Sequence, residues 1–395
     1  MKKTAKVLLI AFLFVCAIGA TFFITLHEAQ RLTAPQAQSA AGEKIDEIME
    51  YMDYYFVDEY DESAMSDAAA AALVEANGDR WSYYLSADEY ADYLETVNNA
   101  YVGIGVTILT DEEAGGMRIE TVTAGGPAEA AGIQVDDIIV RVEGQSTLEL
   151  GMDGTRAVVR GEEGTSVHLE LLRDGETLEL DVTRGTIETP VAAGELLDGD
   201  VGYISIVNFD ERCADEVIAC IEDMASAGAQ ALLFDVRFNP GGYQEELVKV
   251  LDYLLPEGVI FKSVDFRGNE ETDTSDAACV DLPMAVLVNE DSYSAAEYFA
   301  AALQEYGAAS VIGTATVGKG NYQNGFVLSD GSFLNISTGK YFTPQGKSLT
   351  DVGITPDVEL DLSDEDYAAL YYGQLTPEDD AQLQAALELL REKIA

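Results

Sequence analysis

Asn289-Glu290-Asp291-Ser292-Tyr293-Ser294-Ala295-Ala296-Glu297 leaves an apolar run at 284–289 and enters a helical pattern at 295–306. A strand followed at once by a helix is the unit of an α/β fold, and the same alternation extends to both sides. Strands are expected at 202–207, 231–236, 284–289 and 310–313, with helices at 213–227, 243–254 and 295–306 between them. This order predicts an α/β core on a mostly parallel sheet, followed after Pro356 by one amphipathic helix over 377–394.

Toward the N-terminus the pattern changes. Between 101 and 183 short alternating segments at 103–109, 117–122, 137–142, 166–172 and 177–182 are punctuated by turn pairs such as Glu143-Gly144 and Asp174-Gly175. They predict a compact β-rich module of about 85 residues. Before it, Ile45, Ile48, Met49 and Met52 follow helical spacing and a second helix is expected at 66–75. Asn77-Gly78-Asp79 breaks that helix, and Ser86-Ala87-Asp88-Glu89 reads as a capping box that starts the next.

At the start of the chain Lys2, Lys3 and Lys6 precede a charge-free apolar run at 7–26, about the length that crosses a bilayer as a helix. Basic residues ahead of the run keep the N-terminus cytoplasmic and send the rest outward. The competing reading is a cleaved signal peptide, for which Ala34 and Ala37 offer only a weak site. The expectation is a single-pass anchor in the cell membrane with everything beyond it extracytoplasmic. The chain then divides into an anchor at 1–26, a stalk at 27–42, a helical region at 43–98, the β-rich module at 99–185 and the α/β core at 186–395.

Composition removes several function classes. The chain of 395 residues carries 22 basic and 72 acidic side chains, a formal charge of −50, so nucleic acid is not an expected partner. With only His27 and His168, neither a Ser-His-Asp triad nor a histidine-rich metal site is expected, and no metal or organic cofactor is called for. His168 reads as a residue of a sheet surface. Cys16, Cys213, Cys220 and Cys279 form no CxxC pair, and Cys213 and Cys220 read as packing residues of a helix.

Ligands of α/β sheets bind at the carboxyl ends of the strands, and three loops there carry unusual residues. Asp235-Val236-Arg237-Phe238-Asn239-Pro240-Gly241-Gly242 leaves the backbone of Gly241 and Gly242 open to a bound group, although Asn-Pro-Gly is also ordinary turn chemistry. Ser294 opens a helix, where a serine is ordinarily an N-cap, and the same position suits a nucleophile next to the N–H of Ala295. Gly318-Lys319-Gly320-Asn321-Tyr322-Gln323 sets a lysine between glycines; buried beside a serine, its amine loses charge and becomes a base, with Gln323 placed to orient it. Together the loops supply a nucleophile, a base and oxyanion donors without histidine.

These three loops, in this order, resemble the signature of the C-terminal processing peptidases, PDZ-containing S41 serine peptidases with a Ser-Lys dyad. The likeness also covers the segment from Trp81-Ser82-Tyr83-Tyr84, then Tyr101-Val102-Gly103-Ile104-Gly105-Val106, Gly126-Pro127-Ala128, Tyr341-Phe342-Thr343-Pro344 and Gly353-Ile354-Thr355-Pro356-Asp357. It implies a PDZ domain joined to a Clp/crotonase-like α/β peptidase core. Carried over, the nucleophile is Ser294, the base Lys319 and the orienting residue Gln323, with oxyanion donors at Ala295 and at Gly241 or Gly242. Gly103, Ile104, Gly105 and Val106 would receive a peptide C-terminal carboxylate, and Arg160 is a candidate for relaying that signal to the core. Tyr293, Ala296, Val317 and Tyr322 depart from the family pattern beside the proposed catalytic groups.

The resulting expectation is a serine endopeptidase acting through an acyl-enzyme on polypeptides with exposed C-termini, with self-association into a homo-oligomer left open. Two other classes stand beside it: a non-catalytic PDZ peptide-binding protein, and an acyl-CoA enzyme of crotonase type.

Overall fold

The computed structural model describes residues 39–198 and 200–394. The described residues fall into two compact units divided between Leu73 and Val74. In the first, helix Ala40–Tyr55 is capped by Ser39, whose hydroxyl accepts the Gly42 N–H at 3.0 Å, and none of the helix is buried. Helix Glu62–Glu75 begins four residues earlier than its apolar spacing suggested, because the Asp61 carboxylate caps the Ala64 N–H at 3.1 Å.

The second unit is built on a six-stranded sheet ordered Ala192–Leu197, Val201–Ile206, Ala231–Asp235, Met284–Val288, Ala309–Gly313 and Val358–Glu359. The first pair is antiparallel and every other pair is parallel. All residues of Ala231–Asp235 and Met284–Val288 are buried, which is why these strands read as unbroken apolar runs. Alternate side chains face opposite layers. Leu232, Phe234, Val286 and Val288 pack with helices Cys213–Ala227, Gln244–Leu254 and Ala295–Glu305. Ala231, Leu233, Ala285 and Leu287 pack with Leu383, Ala386, Leu387 and Leu390 of helix Ala381–Ile394. Cys213 belongs to the first core and is a free thiol, as the packing reading required.

Because strands 231–235, 284–288 and 309–313 run parallel, their carboxyl ends lie along one edge of the sheet. Loops 235–242, 289–294 and 313–319 therefore emerge side by side. Against them stands a second sheet that the sequence hardly announced. Phe333–Phe342 pairs with Asn321–Val327, with Gly258–Asp265 and with Tyr83–Leu85, and Glu270–Ser275 extends it. Its strands mix polar and half-buried residues, so they lack the clean period of a covered strand.

The β-rich stretch forms a six-stranded antiparallel sheet, with Val106–Asp111 at one edge followed by Gly116–Val122, Ile138–Val142, Ser166–Arg173 and Glu176–Thr183, and with the short Gln145–Ser146 paired to Ile138–Val142. Helix Thr147–Val159 packs against it over a core that includes Ile104, Met117, Ile119, Ile139 and Leu169. His168 sits partly exposed on this sheet with Nδ1 2.8 Å from Asp181. Helix Ala87–Val97 begins at the expected capping box: Ser86 N–H donates to Glu89 at 2.9 Å and Glu89 N–H returns to the Ser86 hydroxyl at 3.4 Å.

The expected placement in a membrane is corrected. Among the described residues no helix is long and apolar enough to cross one. The run at 7–26 on which that expectation rested, with the stalk to residue 38, lies outside the described residues.

A buried ion cluster ties loop 235–242 to the C-terminal helix. The Arg237 guanidinium, 3% exposed, meets Asp235 at 2.6 Å, Asp380 at 2.8 Å and the Gln382 side chain at 3.1 Å. Removing the cation would leave two carboxylates buried without a counter-charge. Arg237→Ala is expected to cost about 3–5 kcal/mol, read as a lowered denaturant midpoint for the unit at 74–395.

Candidate active site

Ser294 occupies the turn from strand Met284–Val288 into helix Ala295–Glu305 with φ 59° and ψ −121°, a conformation L-residues rarely adopt. The strain is held from two sides. Gly241, at φ +91°, packs so closely that a Cβ there would meet the Ser294 Cβ at 2.7 Å and the Ala295 nitrogen at 2.8 Å. From the helix, the Glu297 carboxylate accepts the Ser294 N–H at 3.0 Å. Ser292, two residues earlier, is fully buried and spends its hydroxyl on the Val236 carbonyl at 2.7 Å and the Asn289 N–H at 3.0 Å.

Loop 235–242 is fixed by two asparagines. Asn289 Oδ1 accepts the Phe238 N–H at 2.9 Å. The fully buried Asn239 donates to the Ile206 carbonyl and accepts the Gly241 N–H, both at 2.8 Å. The Gly241 N–H is thereby engaged, whereas that of Gly242 has no protein acceptor among the described residues. The Ala295 N–H, in the first helical turn, likewise lacks an intrahelical partner. A small cavity of about 50 Å³ is lined by Gly242, Ser294, Ala295, Phe261, Tyr298 and Tyr341. Its walls are aromatic, and the Tyr298 hydroxyl is turned away to the Phe342 carbonyl at 2.8 Å.

Lys319 follows strand Ala309–Gly313 on a loop tied to Ser294 through Glu297. The same Oε2 that accepts the Ser294 N–H takes the Lys319 N–H at 2.9 Å, while Oε1 takes the Gly318 N–H at 2.6 Å and the Thr316 hydroxyl at 2.5 Å. The Lys319 amine lies 4.9 Å from the centre of the Trp81 ring and 5.8 Å from that of Tyr293, and those two rings are 5.8 Å apart. Burial pushes the amine down to about 8, and the charges of Glu297 and Asp79 oppose that fall. The Asp79 carboxyl is raised by burial, but hydrogen bonds from Ser337, Ser82 and the Trp81 N–H outweigh this and hold it below its ordinary value.

The structure brings Ser294, Lys319, Ala295, Gly241 and Gly242 to one place. No hydrogen bond joins the Ser294 hydroxyl to the Lys319 amine, which rests against the aromatic rings. Gln323 is not bonded to Lys319 either: a register shift between Tyr322 and Gln323 turns its amide to the Asn321 carbonyl and the Ser337 hydroxyl, at 3.1 and 3.0 Å. Tyr341, unassigned from the sequence, donates its hydroxyl to the Lys319 carbonyl. Burial drives its phenol well above its ordinary value, and the neighbouring Ser294 hydroxyl works against that rise. Trp81, Asn239 and Glu297 were quoted within motifs without a task. Only Glu297 had a readable signal, an acid three residues after a helix-opening serine.

A second concavity of about 290 Å³ lies in the β-rich part, lined by Tyr101, Gly103, Ile104, Gly105, Val106 and Arg160 among others. The Ile104 and Gly105 carbonyls accept from Ala128 and Thr123, at 2.8 and 2.9 Å, while their N–H groups have no acceptor among the described residues. Gly105, at φ +76°, turns the chain into the edge strand Val106–Asp111. Arg160 donates to Glu95 at 2.7 Å and lies 5.1 Å over the Tyr101 ring.

Comparison with known proteins agrees with this geometry. Residues 200–360 match Peptidase family S41 and residues 118–173 match a PDZ domain. The carboxy-terminal processing protease CtpA of Bacillus subtilis is 31% identical over 379 residues, covering 94% of this chain and 80% of that protein. A carboxyl-terminal-processing protease of Synechocystis is 34% identical, covering 79% and 73%. Among solved structures, the photosystem II D1 C-terminal processing protease is 25% identical, with 82% of this chain and 88% of that one covered and a TM-score of 0.46. The two family-model matches and the sequence identity to the Bacillus subtilis and Synechocystis proteases place the chain in peptidase family S41, among the PDZ-containing carboxy-terminal processing serine proteases.

Proposed function

We propose that this serine protease works through a Ser294-Lys319 dyad and selects polypeptides by their C-termini. The observation that carries the reading is a lysine amine lowered to about 8 by burial, on a loop pinned to the same carboxylate oxygen as the nucleophile. Neutral Lys319 takes the Ser294 hydroxyl proton as the oxygen attacks the scissile carbonyl carbon. The oxyanion is received by the N–H groups of Gly242 and Ala295, since that of Gly241 is held by Asn239. Collapse breaks the C–N bond and passes the proton from Lys319 to the leaving amine. Water then hydrolyses the acyl-enzyme with Lys319 again as base. The small aromatic cavity beside Ser294 suits a short apolar side chain on the acyl side of the bond.

Glycines 103 and 105, with Ile104 and Val106, form the proposed carboxylate site. Unengaged N–H groups of Ile104 and Gly105 sit at the head of an edge strand that an extended peptide can join. Gln323, bonded to the Asn321 carbonyl and the Ser337 hydroxyl, is assigned no direct bond to the Lys319 amine.

Ser294→Ala and Lys319→Ala are each expected to lower cleavage of an unfolded reporter by at least about a thousandfold with the fold retained; wild-type turnover by either variant removes the dyad. Since the base must be neutral, kcat/KM should climb as pH rises through about 8 and level off above it. A pH profile flat between 6 and 9 would contradict that assignment. Converting the reporter's C-terminal carboxylate to an amide should raise KM about 10- to 100-fold, the loss of charge-assisted hydrogen bonds, with little change in kcat.

A further inference from the structure

Glu297 has no exposed surface, yet both carboxylate oxygens are saturated by donors. Oε1 accepts from the Thr316 hydroxyl and the Gly318 N–H, and Oε2 from the N–H groups of Lys319 and Ser294, all within 3.0 Å. An ionised carboxylate offers about four acceptor directions, and four donors converge on these two oxygens. Burial lifts the Glu297 carboxyl above its ordinary value, and these four donors pull it back. Its hydrogen-bond partners are all dipoles, a set that favours the ionised form against the upward push of burial.

We propose that Glu297 is a positioning residue that locks the nucleophile and the lysine loop in register and acts as the fixed counter-charge for the ammonium that Lys319 becomes. The inference rests on the Ser-Lys reading above. When the Ser294 proton reaches Lys319, a cation forms in a site walled by Trp81 and Tyr293, where water is scarce and Coulomb effects are strong. The other charges facing that amine come from separate elements. Asp79, from the segment before strand Tyr83–Leu85, adds a second anion, and the Arg80 guanidinium lies over the Trp81 ring, 4.3 Å from its centre. The phenols of Tyr293 and Tyr341 are both held neutral by burial. Of these groups only Glu297 also binds the backbone of both dyad members.

Glu297→Gln keeps the shape and removes the charge. Expected is a fall in kcat of about a hundredfold with KM within about threefold, and a shift of the acid limb of kcat/KM from about 8 to lower pH, because loss of an anion disfavours the ammonium. A purely structural role would lower activity without moving that limb, so an unmoved limb, or a kcat within about threefold of wild type, overturns the proposal. Should circular dichroism show that Glu297→Gln does not fold, Thr316→Val removes one donor and leaves the anion. A kcat loss of about three- to tenfold at unchanged KM supports the register lock, and an unchanged kcat overturns it. Lys319→Ala, assayed in parallel, separates the two claims: if it still cleaves, the dyad fails, whereas its loss beside a wild-type-like Glu297→Gln sinks only the counter-charge.

Discussion

Two loops that leave neighbouring parallel strands are bound to a single carboxylate, and the rest of the active site takes its dimensions from that junction. Glu297 can collect the N–H groups of Ser294, Gly318 and Lys319 because strands Met284–Val288 and Ala309–Gly313 are adjacent and parallel, so that their ends coincide. An anion buried this deeply is tolerated only when its lone pairs are met, and meeting them fixes both loops at once. The strained backbone of Ser294 is then a consequence, since the residue must present its N–H to Glu297 while its Cβ lies against the bare backbone of Gly241.

The lysine's environment has a different origin. Trp81 and Asp79 come from the segment ahead of the antiparallel module, more than two hundred residues from Lys319 in the chain. Strand Tyr83–Leu85 delivers them by pairing with Phe333–Phe342, so the second sheet, not the parallel one, closes the space over the amine. Exclusion of water lowers the amine to about 8, and two anions limit the fall. The balance leaves an amine that can be neutral and can still hold a proton, which suits a base that must later act as an acid.

The PDZ groove offers backbone donors and an open strand edge, features that read main chain and a terminal carboxylate more than side chains. The cavity at Ser294, by contrast, is small and lined with rings. The two concavities thus differ in character, one offering main-chain donors at a strand edge and the other a small ring-lined space.

What the chain dictated on its own follows from local physics. Buried parallel strands must be continuously apolar and their helices amphipathic, so the α/β core, its loop positions and the antiparallel module were legible, as was the capping box at Ser86. The choice of Ser294 and Lys319 came from the family resemblance, whereas the loops that carry those two side chains were legible as turns after core strands. The five-stranded second sheet was not, since its half-exposed strands carry no clear period. Nor were the assignment of the Gly241 N–H to Asn239, the rotation of Gln323 toward Ser337, or the aromatic walls around Lys319. Each depends on contacts between residues far apart in sequence, where hydrogen-bond partners and burial are set by packing in three dimensions and leave no mark on local spacing.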